Sequence, residues 1–290
     1  MKYSMFSLSL PQCTPAEAAA LVKEAGYDGM EWRCFARPDP MPPIPNCWQS
    51  NRTTLDWKNW KKAVPEYKRL MAEHGLEFSN LGCYCRADQV EEVKTGIAIA
   101  KELGSPRLRV CAPPYDGKEN YRSVLARARD QYANAAELCK AAGVQGLLEL
   151  HMGNIAPSAS MGFRLLDGCD PSAMGVMLDP GNMAFEGYEN WKMGCELLGP
   201  YLAFVHAKNS RRRACGVVAP GSISYEYEAC EMHTGFVDWV AVFKALKAVG
   251  YDGWISNEDY HLATGCGFER IRDGLAFLKK CEQAAKEAAP

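Results

Sequence analysis

The 290-residue sequence has no long apolar run and no pair of cysteines in a CxxC motif. A helix that spans a bilayer needs about 18 or more mostly apolar residues, so we expect no membrane span. The first residues, MKYSMFSLSLPQC, also lack the apolar core and cleavage site of a signal peptide. Thirteen scattered cysteines do not resemble a disulfide framework, and we expect reduced thiols in a cytoplasmic protein.

Clustered positive charge is scarce as well. The chain has 33 Lys and Arg against 35 Asp and Glu, and its formal net charge is −2. The one local basic run is Arg211 to Arg213, which is too short to form a nucleic-acid surface. Because proteins that bind nucleic acid present a broad basic face, we expect neither DNA nor RNA as a partner.

The tetrapeptide GYDG occurs twice, at residues 26–29 and 250–253. Each copy follows a helical pattern and precedes a strand-like run, and four further junctions show the same order of helix, glycine and strand. Together with two more apolar runs they give eight strands alternating with helical segments, which is typical of a parallel sheet covered by helices. Eight units in 290 residues predict an α/β protein, a single (β/α)₈ TIM barrel that spans residues 1–290.

Three connections after predicted strands are long, and they follow strands two, four and seven. In a barrel the loops at the carboxyl ends of the strands build the active site, so we expect substrate specificity to reside there. The three connections are residues 34–55, 112–119 and 209–236.

Polar residues end four consecutive predicted strands. Three carboxylates that meet at one place repel each other unless a cation lies between them. Three oxygen donors and one imidazole suit a divalent ion, with Mn²⁺ preferred over Mg²⁺, Co²⁺ or Zn²⁺. The predicted metal ligands are Glu149 from LLELHMGN, Asp179 from VMLDPGNM, His206 from AFVHAKN and Glu258 from WISNEDY.

Taken one at a time, these residues have simpler explanations. Asp179 before Pro180 could cap a helix, and a single buried histidine such as His206 is often a satisfied core residue. Four other residues near the same strand ends are candidates for substrate binding, although Lys208 could instead neutralise the carboxylates and the arginines could be solvated. These candidates are Lys208, Asn182, Arg211 and Arg213.

The segments LLELH, MLDPGN and FVHAKN, with GYDG followed by NE, resemble the sugar phosphate isomerase/epimerase group of xylose isomerase-like barrels. That group includes ketose 3-epimerases and inosose dehydratases. The resemblance implies a divalent-metal-dependent isomerase or epimerase that removes a proton next to a sugar carbonyl through a metal-stabilised enediolate. It also implies that Glu149 and Glu258 transfer that proton. A relationship to endonuclease IV is distant, and five histidines are too few for its cluster of zinc ions.

The sequence departs from the epimerases two residues after Glu149, where it has His151 instead of Asn. The Glu-x-His arrangement resembles the catalytic subunits of bacterial C-glycoside deglycosidases, which are manganese barrels with a small partner subunit. This resemblance implies, as an alternative, a lyase acting on 3-keto-glycosides with His151 as the base. His151 could equally orient Glu149. A further alternative is an inactive sugar-binding barrel. A homo-oligomer and a small partner subunit both remain open.

Overall fold

The computed structural model describes residues 1–259 and 268–287. Its main sheet contains nine strands, eight of which run parallel and close into a barrel, while the ninth is a two-residue strand at the edge. Two further strands form a separate hairpin. In chain order the strands are β1 (Lys2–Phe6), β2 (Gly29–Phe35), β3 (Leu55–Asp56), β4 (Glu77–Gly82), β5 (Arg107–Arg109), β6 (Gln145–Glu149), β7 (Met174–Leu178), β8 (Leu202–Ala207), β9 (Asn209–Ala219), β10 (Ser222–Cys230) and β11 (Trp254–Asn257).

The barrel closes because β1 pairs in parallel with two strands, β2 on one side and β11 on the other. The order around the ring is β1, β2, β4, β5, β6, β7, β8 and β11, so each barrel strand lies beside its neighbour in the chain. The eight predicted barrel strands are therefore confirmed, as is the single (β/α)₈ barrel. All carboxyl ends of the strands face the same end of the ring.

Helices cover the outside of the barrel and agree with the six best helical patterns in the sequence. Gly75, Gly104 and Gly143 follow three of these helices in the left-handed conformation, which lets the chain turn into the next strand. Among the described helices none is both long and apolar enough to cross a membrane. The helices are α1 (Pro15–Glu24), α2 (Trp60–His74), α3 (Val90–Leu103), α4 (Tyr121–Ala142), α5 (Ala159–Leu166), α6 (Pro180–Phe185), α7 (Trp191–Leu198), α8 (Trp239–Ala248) and α9 (Phe268–Glu287).

The barrel strands are buried on both faces, but they are not continuously apolar. Glu31, Asn80, Arg109 and Ser256 lie inside strands and are almost completely buried. The charged residues among them, Glu31 and Arg109, require partners, because an ionised group without one is too costly to remove from water. The polar residues thus identify the part of the barrel interior where a functional site should be sought.

The connection after β8, which the sequence presents as a long loop at 209–236, is largely regular. Strands β9 and β10 form an antiparallel hairpin that pairs with no other strand of the described chain. We call this hairpin, residues 209–230, the arm. Its regular strand structure escaped the sequence analysis because charged residues follow one another in RRR and a strand exposed on both faces has no buried side to detect.

Candidate metal centre and adjoining cavity

Four predicted ligands converge at the carboxyl end of the barrel. Glu149 ends β6, Asp179 and Glu258 directly follow β7 and β11, and His206 lies in β8. One donor atom from each of them lies within 4.8 Å of the donor atoms of the other three, and all four residues are buried. Three carboxylate oxygens and one imidazole nitrogen form a donor set that could hold a divalent metal ion.

The imidazole of His206 is oriented by Glu31, which the sequence analysis missed. His206 Nε2 lies 2.8 Å from Glu31 Oε2, while His206 Nδ1 lies 3.1 Å from Glu149 Oε1 and 3.2 Å from Glu258 Oε2. If Nε2 donates its hydrogen to Glu31, Nδ1 presents a lone pair towards carboxylates that can only accept. A cation at Nδ1 resolves this conflict, and the donor set therefore fits a metal ion.

Glu31 is itself held in place by two further hydrogen bonds. Ser256 Oγ donates to Glu31 Oε2 at 2.7 Å, and Asn80 Nδ2 donates to Glu31 Oε1 at 2.8 Å. With these bonds both oxygens of the buried carboxylate are satisfied. The arrangement is the carboxylate–histidine pair that commonly fixes the tautomer and raises the basicity of a metal-binding imidazole.

We expect Glu31→Gln to weaken Mn²⁺ binding by about ten- to hundredfold, because the amide no longer provides a full negative charge behind His206. Isothermal titration calorimetry with Mn²⁺ measures the effect directly. Ser256→Ala is the matched control, since it removes one hydrogen bond to Glu31 but keeps the carboxylate, and its effect should be smaller. An unchanged Mn²⁺ affinity in a folded Glu31→Gln variant would contradict this role for Glu31.

Two basic side chains compensate the buried carboxylates. Arg109 Nη1 lies 2.8 Å from Glu149 Oε2, and Lys208 Nζ lies 2.7 Å from Asp179 Oδ2 and 2.6 Å from Glu258 Oε2. Burial opposes ionisation of Glu149, but Arg109 and His206 hold its pKa well below the usual value. Burial also opposes ionisation of Glu258, yet Lys208 and His206 lower its pKa to about 2. Glu149 and Glu258 are therefore ionised at neutral pH.

The same charges act on His206 in the opposite sense. Burial by itself lowers the pKa of His206, whereas Glu31 and Glu258 raise it, and the net direction is well above the usual value. Lys208 behaves in a similar way, because Asp179 and Glu258 more than offset the effect of its burial and raise its pKa. The buried carboxylates thus stabilise the positive charges of His206 and Lys208.

Asp179 both caps α6 and contributes to the cluster. Its explanation as a helix cap is therefore compatible with its predicted role as a metal ligand. Its Oδ1 accepts from the backbone N–H of Asn182 at 2.9 Å, and its Oδ2 accepts from Asn182 Nδ2 at 2.8 Å. The amide of Asn182 also donates to the carbonyl oxygen of Leu150. In this structure Asn182 therefore orients Asp179, and its predicted contact with substrate stays a prediction.

A cavity of about 380 Å³ adjoins the cluster. Glu149, His151 and Arg109 contribute polar groups to its wall, and Trp48 and Tyr84 contribute aromatic rings. Glu149 and His151 border the same space, as strand alternation predicts. His151 Nδ1 lies 2.7 Å from the carbonyl oxygen of Met152, which can only accept, so in the neutral ring Nε2 carries the lone pair.

Trp48 reaches the cavity because the loop that carries it is fixed to the barrel. The buried Arg33 donates through Nη2 to the carbonyl oxygen of Trp48 at 3.0 Å and through Nη1 to Thr54 Oγ1 at 2.8 Å. Asn46 Oδ1 accepts from the backbone N–H of Trp48 at 2.9 Å. The proline-rich connection 34–55 therefore forms part of the site, in line with its position after β2.

The two arginines predicted to bind substrate lie elsewhere. Arg211 pairs with Glu228 at 2.7 Å and Arg213 pairs with Glu226 at 2.5 Å, and all four side chains are exposed on the arm. The structure therefore does not bring Arg211 or Arg213 to the buried cluster. Lys208, by contrast, lies within the cluster itself. Whether the arginines contact substrate stays a prediction, since the arrangement shows only their contacts within the arm.

The comparisons with known proteins agree with this fold. A sequence model described as the xylose isomerase-like TIM barrel matches residues 19–281. An inosose dehydratase of Geobacillus kaustophilus (strain HTA426) is 27% identical over 134 residues, which make up 43% of this chain and 42% of that protein. The matched stretch is thus less than half the length of that curated relative.

Two solved structures have similar folds. A D-tagatose 3-epimerase-like protein has a TM-score of 0.71 and 18% identity, with 99% of each chain covered. The IolI protein, whose structure contains a zinc atom, has a TM-score of 0.74 and 14% identity, with 100% of this chain and 99% of that chain covered. At these identities the likeness concerns the fold, whereas the sequence model matches most of the chain. The closed barrel and this match show that the chain belongs to the xylose isomerase-like TIM-barrel family.

Proposed function

We propose that this protein is a divalent-metal-dependent isomerase or epimerase that removes a proton next to the carbonyl of a sugar or keto-sugar. This proposal rests mainly on the cluster of Glu149, Asp179, His206 and Glu258, which lies beside a cavity at the catalytic end of the barrel. The proposal includes Mn²⁺ as the preferred ion and a cytoplasmic location. The epimerase and dehydratase among the similar proteins support chemistry of this kind.

Each part of the site has a role in this chemistry. Glu149, Asp179, His206 and Glu258 would hold the ion, and Glu31 fixes the orientation of His206. A divalent ion held by these residues would polarise a carbonyl group and would stabilise the negative charge that develops when the neighbouring C–H proton leaves. A carboxylate or imidazole beside the cavity accepts that proton and returns it to carbon, so that isomerisation or epimerisation needs no other reactant.

The position of His151 favours a second candidate, a lyase acting on 3-keto-glycosides. Glu149 already contacts Arg109 through Oε2 and His206 through Oε1, whereas His151 borders the cavity with a neutral-ring lone pair at Nε2. In this reaction His151 would take the proton next to the keto group, and the electron pair of that C–H bond would form a double bond. The aglycone would leave with the electron pair of its bond to the sugar and take up a proton from water. The relative described as an inosose dehydratase also fits an elimination.

Solvent-deuterium exchange tests both candidates. The protein is incubated in D₂O with Mn²⁺ and a panel of ketoses and 3-keto-glycosides, and NMR locates any C–H that exchanges. An isomerase or epimerase should place deuterium next to the carbonyl of a ketose and in its product, whereas a lyase should release an aglycone from a keto-glycoside.

The metal content of the same sample must be measured in parallel. Exchange that requires Mn²⁺ supports the proposal, and its loss in Glu258→Gln ties it to the cluster. If the protein binds Mn²⁺ but exchanges no C–H of any panel member, the proposed chemistry is wrong. A barrel that binds sugars without turning them over would then be the better description.

A further inference from the structure

Arg33 is a buried cation whose hydrogen-bond acceptors are all neutral. The residue is only 4% exposed, and no carboxylate in residues 1–259 and 268–287 forms an ion pair with it. Its guanidinium donates instead to the carbonyl oxygen of Trp48, the hydroxyl of Thr54 and the hydroxyl of Tyr84. Because a buried charge without an opposite charge is costly, we expect Arg33 to have a role that a neutral side chain could not fill.

The ring of Tyr84 lies close to two guanidinium groups. Arg33 Nε lies 3.3 Å from Tyr84 Oη, and Arg33 Cζ lies 5.3 Å from the centroid of the ring. Arg109 Cζ lies 4.2 Å from the same centroid. Positive charges at these distances stabilise the negative charge that a phenol oxygen gains when its O–H donates a hydrogen bond. The two arginines therefore make Tyr84 a stronger hydrogen-bond donor.

The hydroxyl hydrogen of Tyr84 is available for a partner outside the chain. A guanidinium can only donate, so Tyr84 Oη accepts from Arg33 and keeps its own hydrogen. Among the described residues no group accepts that hydrogen. Tyr84 lines the same cavity as Glu149 and His151. A substrate oxygen bound in the cavity would provide the missing acceptor.

Arg109 connects Tyr84 to the candidate metal centre. Its Nη1 donates to Glu149 Oε2 at 2.8 Å, and its Nε donates at 2.9 Å to the carbonyl oxygen of Cys83, the residue before Tyr84. These bonds hold the guanidinium that lies against the Tyr84 ring. A donor that is held in position before the reaction needs no rearrangement when charge develops on the substrate.

We propose that Tyr84 is a further catalytic residue, whose hydroxyl donates a hydrogen bond to the substrate oxygen on which negative charge develops as the C–H proton leaves. Arg33 is a positioning residue, because it acts through Tyr84. This inference rests on the proposed function, since both candidate reactions develop such a charge. The hydroxyl of Tyr84 keeps its proton throughout, so neither reaction requires a further reactant.

This role differs from that of an aromatic wall. A wall requires only the ring of Tyr84, and a buried arginine bonded to the hydroxyl would then add a desolvation cost without a benefit. The two roles can be separated, because Tyr84→Phe keeps the ring and removes only the hydroxyl. A wall residue should tolerate this change, whereas a donor to the developing charge should not.

The test uses the ketose or 3-keto-glycoside of the D₂O panel that the wild-type protein turns over, at saturating Mn²⁺. In Tyr84→Phe, kcat for C–H exchange should fall by about 10²- to 10³-fold, the range found when one preorganised donor to an oxyanion is removed. KM and the dissociation constant of Mn²⁺ should change little. Tyr188→Phe is the matched control, because it removes the same hydroxyl from a ring that is 60% exposed, and its kcat should equal that of the wild type.

A double-mutant cycle tests the part played by Arg33. Arg33→Met should lower kcat in the wild-type protein and should add little to the loss in Tyr84→Phe, because the arginine acts through the hydroxyl. If Arg33 only supports the fold, it should lower kcat by the same factor in both backgrounds. Circular dichroism and thermal unfolding establish that all variants are folded.

The outcomes separate this inference from the proposed function. If the wild-type protein exchanges a C–H and Tyr84→Phe does so with the same kcat, Tyr84 is not a catalytic residue and the proposed function stands. A change confined to KM likewise overturns the inference, because it shows that substrate and transition state use the hydroxyl equally. A wild-type protein that exchanges no C–H of the panel overturns the proposed function and this inference together.

Discussion

Glu258→Gln should abolish both metal binding and turnover. The substitution keeps the size of the side chain but replaces a charged oxygen ligand with a neutral amide. It also removes the carboxylate that lies 2.6 Å from Lys208 Nζ and 3.2 Å from His206 Nδ1. Because this residue would contact the ion directly, the loss of Mn²⁺ affinity should exceed the roughly ten- to hundredfold effect expected for partners behind the ligands.

Metal analysis of the purified protein and calorimetric titration with Mn²⁺ measure this effect. Glu73→Gln is a suitable control, since Glu73 pairs with Arg69 on the exposed surface of α2 and its substitution should leave metal content unchanged. A thermal unfolding curve separates loss of the ion from loss of the fold. Retention of Mn²⁺ at wild-type affinity in Glu258→Gln would exclude Glu258 as a ligand.

If His151 is the base of the lyase reaction, His151→Ala should keep the metal and lose turnover by about 10²- to 10⁴-fold, the range expected when a general base is removed. The reason is geometric: His151 borders the cavity but does not belong to the four-donor cluster. The decisive measurement is the turnover number at saturating Mn²⁺, together with the dissociation constant of Mn²⁺ for the same variant.

The two readouts distinguish a base from an orienting residue. If His151 only orients Glu149, the Mn²⁺ affinity should fall along with activity. If it is the base, the affinity should stay near that of the wild type. His233→Ala is the control, because His233 is exposed and pairs with Glu231 away from the cluster. Full activity of His151→Ala would rule out histidine-base chemistry and leave the two-glutamate mechanism.

The barrel could be predicted well because its evidence recurs along the chain. Each helix–glycine–strand junction independently predicts a helix followed by a strand. An error at one junction would therefore not change the predicted fold. The convergence of the four cluster residues could be predicted for a related reason, since Glu149, Asp179, His206 and Glu258 all occur at or near the end of a barrel strand. Topology alone brings such positions together, whatever the packing between them.

Glu31 could not be found by the same reasoning, because it lies well before the end of β2, and Arg109 was missed although it ends β5 as Glu149 ends β6. Their partners, His206 and Glu149, are 175 and 40 residues away, and no local pattern reports such pairings. The available signal was chemical: a charged residue in a buried strand, as in GMEWRC or RLRVCA, requires a partner. The arm was missed for the opposite reason, since its strands are exposed and show no buried face.

Lys208 has a consequence for how the protein would acquire a metal ion. It provides a positive charge that belongs to the chain and lies 2.7 Å from Asp179 and 2.6 Å from Glu258. Burying such carboxylates without compensation would cost several kcal/mol for each ion. With this internal counter-charge, we expect the polypeptide to fold before a metal ion binds, and an ion held by the cluster to exchange without unfolding. Metal occupancy would then follow the supply of ions around the mature protein rather than the conditions during its synthesis.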